Sequence, residues 1–447
     1  MNTPICDFVR RYAESGTLRL HMPGHKGAGP LGFEQLDITE ISGADSLYEA
    51  NSIIAQSEEN ASTLFGCPTF YSTEGASQCI RAMVYLAMLH AKKQGKYPLI
   101  AAARNVHKTF LSAAALLDTP VDWLYPDEDA AYLSCNITAE HLESYFASAP
   151  VAPAAVYVTS PDYLGNMLDI GALAEVCHRH GALLLVDNAH GAYLHFLSPS
   201  RYPMDLGADL CCDSAHKTLP VLTGGAYLHV GVNAPALFRE QAKNALALFG
   251  STSPSYLILQ SLDAANALLD DPNYIQSLNA LRFRAEGCRE QLSRHGINAC
   301  CGDEPLKLTI YPRFYGYTGT EFAEQLRKNG MECEFADPDF LVLMLTPAIT
   351  EKDLQRVVDA LTALPRREAV LTDPPRIPRP EKVLSIREAM LCPARTVTVA
   401  ESIGCILAAP SVSCPPAVPI LVCGERIDEA AVRCFRYYGI ETCSVVK

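Results

Sequence analysis

The chain has 447 residues, room for two or three domains at ~150 residues each. Its 36 basic and 50 acidic side chains leave a formal charge of −14, and no segment clusters the Lys and Arg that phosphate neutralisation needs, so nucleic acid is excluded as a default partner. Apolar residues make up 49% and charged ones 19%, which excludes a disordered chain and permits a sizeable core.

In chain order, the start from Met1 to Arg10 carries charges and lacks the apolar stretch of a signal peptide. Residues 77–94 read as a helix, with Ile80, Met83, Val84 and Ala87 on one face and Gly95 placed to stop it. Strands are expected at 99–103, 154–159, 182–186, 209–212 and 226–230, with a helix at 170–180 leading through Gly181 into the third of them. That alternation is the pattern of a parallel sheet with crossover helices, an α/β fold.

After Pro235 the pattern is mainly helical to about Gly296. A smaller α+β unit follows, with strands at 308–311 and 340–345, a helix from Thr320, and a last helix capped by Thr350 with Leu354, Val357, Val358 and Leu361 on one side. Residues 372–380 hold four prolines in nine and read as a linker, and beyond them lies a C-terminal unit with a proline-rich strand at 410–419. The expected organisation is an N-terminal segment plus large domain at 1–296, a small domain at 297–370, a linker at 371–380 and a C-terminal domain at 381–447.

No apolar run reaches the ~18 residues of a membrane span. The 17 cysteines are odd in number, irregularly spaced and free of any Cys-x-x-Cys, so neither a zinc site nor a disulfide framework is signalled and a reducing cytoplasm is expected.

The most specific motif is Ser214-Ala215-His216-Lys217, just past a strand and followed by the uncharged run 218–230. A lysine in an apolar segment without a nearby carboxylate should have a depressed pKa, leaving its amine available to attack an aldehyde. The flanking Ser214 and His216 can hold a phosphate beside it; a lone lysine would more often be a surface residue after a turn. Thirty positions earlier stands Asp187-Asn188-Ala189-His190-Gly191, at the carboxyl end of a buried strand, which is the ligand-binding edge of an open α/β sheet. Asp187 there can keep a pyridine nitrogen protonated, or can merely cap a following helix, and His190 can donate to a ring oxygen.

Ser72-Thr73-Glu74-Gly75-Ala76-Ser77 opens the helix at 77–94, where backbone amides, Gly75 and the Ser77 hydroxyl form an anion site or an ordinary cap. His107, in Asn105-Val106-His107-Lys108, can stack on a flat ring at the same sheet edge or serve structure alone. A condensing lysine, a carboxylate for a pyridine nitrogen and a phosphate cradle together specify pyridoxal 5'-phosphate.

On these residues the chain resembles the bacterial ornithine/lysine/arginine decarboxylases of the aspartate-aminotransferase fold, and most closely the short forms without a wing domain. The match runs over nearly the whole chain. It includes His21-Met22-Pro23-Gly24-His25-Lys26-Gly27, Asp37-Ile38-Thr39-Glu40 and Thr252-Ser253-Pro254-Ser255-Tyr256, together with Glu401-Ser402-Ile403-Gly404, Pro415-Pro416 and Gly424-Glu425-Arg426.

The resemblance implies Lys217 as the lysine condensed with the cofactor aldehyde, His107 stacked on its ring, Asp187 on its nitrogen and His190 near its phenolic oxygen. Ala76, Ser77, Ser214 and His216 would surround the phosphate, and Thr252 or Ser253 would reach it from the partner subunit of a homodimer.

The expected reaction is decarboxylation of a basic amino acid (arginine, lysine or ornithine) to a polyamine-type amine, with Lys217 or His216 returning the proton. Glu334 and Asp337 are candidates for the cationic substrate tail by residue type, or are simply solvated surface charges. The rivals are an aminotransferase, sulfur lyase or aldolase, for which Arg313 is the remaining carboxylate clamp, and a catalytically silent regulatory homologue. Three departures from the family pattern bear on the substrate: Glu74 replaces an asparagine, Asn188 a glutamate, and Thr223-Gly224-Gly225 a Thr-Gln-Ser.

Overall fold

The computed structural model describes residues 1–128, 130–410 and 416–447. It is α/β with a mostly parallel central sheet, and its contacts divide into two units. The first comprises Met1–Pro98, Ala152–Val156 and Ile170–Gln276; the second comprises Leu99–Val151, Tyr157–Asp169 and Ser277–Lys447.

In the first unit four strands lie side by side in the order Thr69–Ser72, Ala226–Val230, Leu210–Asp213, Leu183–Asp187. Leu183–Asp187 runs parallel to Leu210–Asp213, with Asp187 opposite Cys212. Ala226–Val230 is antiparallel to both of its neighbours, with Asp213 opposite Tyr227 and Ser72 opposite Ala226.

This register decides the chemistry. Two parallel strands end, and the antiparallel one begins, at the same sheet edge, so the turns after Asp187, after Asp213, before Ala226 and after Ser72 converge there. The helix Gly75–Lys93 buries Cys79, Ile80, Met83, Val84, Leu86 and Ala87 at helical spacing, and Gly95 follows it with φ +67°, a left-handed turn that suits glycine.

In the second unit Ile100–Ala103 pairs in parallel with Val121–Leu124, joined by the helix Lys108–Leu117. A four-stranded antiparallel sheet has the order Phe335–Ala336, Leu341–Met344, Lys307–Tyr311, Asn298–Cys301. Thr350 caps the helix Glu351–Thr362 through a reciprocal bond pair with Asp353, as its position in the sequence implies. A three-stranded sheet, Ala394–Thr398, Thr442–Val446, Leu407–Ala409, packs its Val397, Leu407 and Val445 against Val432 and Phe435 of the helix Glu429–Tyr437.

One expected strand is corrected. Of residues 410–419, 411–415 lie outside the described residues and 416–419 form no strand. Prolines 416 and 419 have no N–H to give a ladder, and Ala417 has φ +57°. Residues 365–380 hold neither helix nor strand.

Candidate active site

Lys217 sits in a single turn of helix, Ala215–Thr218, immediately after the strand Leu210–Asp213. Its Nζ lies 3.0 Å from His190 Nε2 on the neighbouring turn. His190 is buried, and so is Asp187 at the end of its strand. Asp187 caps no helix: its Oδ1 accepts from Ala189 N at 3.2 Å, within a turn. A lysine amine, an imidazole and a buried carboxylate thus converge from two parallel strand ends.

Beside them lies the start of the helix Gly75–Lys93. Its first-turn amides have no intrahelical acceptor, and Glu74 at the N-cap makes no side-chain capping bond. Gly75 takes φ +69°, its N–H donates to Gly224 O at 2.7 Å, and a Cβ there would come within 3.9 Å of His216 Cε1. His216 donates from Nδ1 to Gly225 O at 2.9 Å, since a carbonyl can only accept. Burial holds its pKa below the usual imidazole value, so the ring is neutral and Nε2 presents a lone pair.

Ser214 is buried next to these groups in sequence, and Ala76 and Ser77 stand in the helix's first turn. The N-terminal turn of a 19-residue helix, a residue without Cβ and a lysine in one cluster fit a phosphate-bearing aldehyde.

Each departure at this edge has a local reason. Glu74 turns its carboxylate to the loop ahead of Thr252 and Ser253, accepting from Ser251 N at 3.0 Å. Gly224 has φ +101°, and a Cβ on it would stand 2.9 Å from Thr73 O, so the glycine permits the close approach that brings its carbonyl to Gly75. Asn188 is fully buried and donates from Nδ2 to Asp213 Oδ1 at 2.6 Å; a glutamate there would oppose carboxylate to carboxylate.

Asp213 is the residue sequence reasoning missed. Its buried carboxylate receives Asn188 Nδ2, Tyr202 Oη at 3.1 Å and His229 Nε2 at 3.1 Å, while Thr69 Oγ1 meets His229 Nδ1 at 2.9 Å. Burial alone would depress His229, but the adjacent Asp213 carboxylate outweighs it and pushes its pKa up to about 9. The available signal was an acidic residue closing an otherwise apolar strand, directly before the serine of the lysine motif.

Thr252 and Ser253 lie exposed on the loop before the helix Tyr256–Leu269. The remaining candidates belong to the second unit. His107 is the N-cap of Lys108–Leu117, and its Nδ1 accepts from Thr109 N at 3.2 Å, which puts the proton of the neutral ring on Nε2. Glu334 accepts from Tyr163 Oη at 2.5 Å. Asp337 is buried, accepts from the amides of Asp339 and Phe340 at 2.8 and 2.7 Å, and is pushed by that burial up to about 7.

Arg313 is buried and bonded to Asp339, Tyr437 Oη and Val370 O. A guanidinium so engaged is not available to clamp a substrate carboxylate, and the aminotransferase reading loses its arginine. The 14 described cysteines are free thiols. Among the described residues no group of His, Cys, Asp and Glu could hold a metal, and no helix is long and apolar enough to cross a membrane.

Residues 3–353 match the family model "Orn/Lys/Arg decarboxylase, major domain". The arginine decarboxylase of Bacillus subtilis is 28% identical over 463 residues, covering 96% of this chain and 91% of that protein. That of Halalkalibacterium halodurans is 29% identical over 461 residues, again covering 96% and 91%. Among solved structures, the lysine decarboxylase of Francisella novicida superposes with a TM-score of 0.80 at 16% identity, over all of this chain and 81% of that one.

Proposed function

Because the chain belongs to the Orn/Lys/Arg decarboxylase family, whose cofactor is pyridoxal 5'-phosphate, we propose that its substrate is arginine and its product the corresponding amine and carbon dioxide. Decarboxylation of a basic amino acid is the coarser statement that the family match supports. Arginine is favoured by the names of the two bacillary relatives. The observation that carries the reading is Lys217 Nζ at 3.0 Å from His190 Nε2 beside the buried Asp187.

Lys217 would hold the cofactor aldehyde, Asp187 the ring nitrogen, His107 the ring face, and Ala76, Ser77, Ser214 and His216 the phosphate. The bound cofactor supplies the electron sink for the pair left when carbon dioxide departs. The chain's own residues do the rest. The Asp187 carboxylate keeps a cation favourable at the strand end. His190, in reach of Nζ, would hold or relay the lysine proton, and Lys217 would return a proton to the substrate α-carbon, since the neutral His216 ring has its one N–H on Gly225 O. Glu334 and Asp337 are candidates, by residue type alone, for the carboxylate that meets the substrate's cationic tail.

We place the reaction in the cytoplasm, where thiols stay reduced, and in a homodimer in which Thr252 and Ser253 of one copy serve the other's phosphate. Incubation with arginine, lysine and ornithine should release carbon dioxide fastest from arginine; release of keto acid alone would overturn the reaction, and faster release from another amino acid the substrate. Mixing inactive Lys217→Ala with Ser253→Ala chains should restore part of the activity, and failure to do so would refute the shared site.

A further inference from the structure

The match to the family's major domain stops at residue 353, yet the C-terminal part makes direct bonds to the turn that carries His107. Arg104 follows the strand Ile100–Ala103, and Lys108 opens the next helix, so residues 104–107 are the whole connection. Arg104 and Glu425 form an ion pair at 2.9 Å with both side chains 3% exposed, across 321 positions of sequence.

The same guanidinium nitrogen, Nη2, donates to Ile420 O at 3.1 Å, and Glu425 Oε2 also accepts from Val422 N at 2.7 Å. Arg104 Nε and Nη1 have no hydrogen-bond partner among the described residues. The cation instead lies 5.2 Å from the Trp123 ring centroid and 5.9 Å from that of Tyr125. Glu425 is therefore the carboxylate on which this buried charge depends.

At the other end of the turn, Lys108 N donates to Ala417 O at 2.8 Å. That amide opens a helix and has no acceptor of its own. Ala417 delivers its carbonyl from φ +57°, a conformation L side chains rarely adopt and which persists where surrounding contacts over-determine it. Between the two fixed ends, Val106 is fully buried and Asn105 Nδ2 donates to Leu133 O at 3.3 Å.

We propose that the segment from Ala417 to Arg426 is the positioning element for His107, with Glu425 acting through Arg104 and the Ala417 carbonyl through Lys108. The inference rests on the reading that His107 meets the cofactor ring, and it gives the C-terminal part a role in the reaction: without it the turn keeps its sequence and loses its shape.

The test is Glu425→Gln in the full-length chain. Amide hydrogen exchange across residues 104–109, measured without cofactor, should speed up by about tenfold or more. In the loaded enzyme the visible circular-dichroism band of the cofactor should weaken and kcat fall by about tenfold with KM little changed, as for a displaced contact to the reacting group. Should this variant fail to fold, the pair Arg104→Met with Glu425→Met leaves no buried charge uncompensated and should show the same faster exchange. Unchanged exchange at 104–109 in a folded variant overturns the proposal. His107→Ala separates it from the reading beneath it: an unaltered visible band would sink the ring contact, while the exchange data still decide the clamp. In the His107→Ala background Glu425→Gln should alter the band no further, and an additive change would show that Glu425 acts by another route.

Discussion

The turns after Asp187 and Asp213 are fastened to each other at the ends of adjacent parallel strands, whereas the turn carrying His107 is fastened at Arg104 by Glu425, 321 positions beyond that arginine. Both fastenings centre on a buried ion pair, Asp213 with His229 in one unit and Arg104 with Glu425 in the other. In the first, sheet register already brings the groups side by side, and the ion pair trims their positions. In the second, no strand pairing joins Arg104 to Glu425, so the contact exists only once the C-terminal part has packed. The first turn pair should therefore tolerate damage to the C-terminal part, and the His107 turn should not.

The largest effect that would break this contrast is at the lysine. Lys217→Ala should abolish the visible absorbance of bound cofactor and lower carbon dioxide release by at least about 10³-fold. Retained absorbance would mean that the strand-end turns do not carry the chemistry.

Asp213→Asn should come next. It removes the counter-charge of a fully buried imidazole and should destabilise the fold by about 3–5 kcal/mol, read as a lower urea midpoint. The pH dependence has a definite sign. His229 is raised in the folded protein, so its contribution to stability is complete below the ordinary imidazole value of 6.5 and is lost as pH rises through about 9. Stability of the unaltered chain should fall across that window, and the component due to His229 should vanish in Asp213→Asn; an identical fall in both would refute the pairing.

A moderate loss is expected from Gly224→Ala. The new methyl would stand 2.9 Å from Thr73 O at a φ of +101°, so the Gly224–Gly75 contact must open, weakening cofactor binding by about tenfold, or roughly 1.4 kcal/mol. Titration with cofactor measures it, and wild-type affinity would remove Gly224 from the cradle. The smallest change belongs to Glu74→Gln, whose carbonyl oxygen can still accept from Ser251 N. Activity should stay within about threefold, because the bond lost is only the charged version of one that remains. The contrast itself sharpens in Glu425→Gln, where exchange of amides 187–191 and 214–217 should stay at wild-type rates while that of 104–109 rises.

Much of the first region was legible. The strand ending at Asp187 and the one before Ser214 were each placed to within a residue, because buried parallel strands read as short apolar runs closed by a polar residue. The helix from Gly75 and the cap at Thr350 were legible for the same local reason. The bond between Asn188 and Asp213 was not, since residue identity shows two polar side chains and not that register sets them 2.6 Å apart. Nor was the engagement of Arg313 by Asp339 and Tyr437, which turns a candidate substrate clamp into a structural cation.

What the sequence alone determined about this protein is the alternation of apolar runs and amphipathic helices and the residue types at the strand ends, because these depend on neighbours a few positions apart. Tertiary structure decided which of those residues meet. Hydrogen-bond distance is reached only when strands pair in one register and when chain segments hundreds of residues apart are packed together, and it is there that an asparagine becomes a brace and a C-terminal glutamate a clamp.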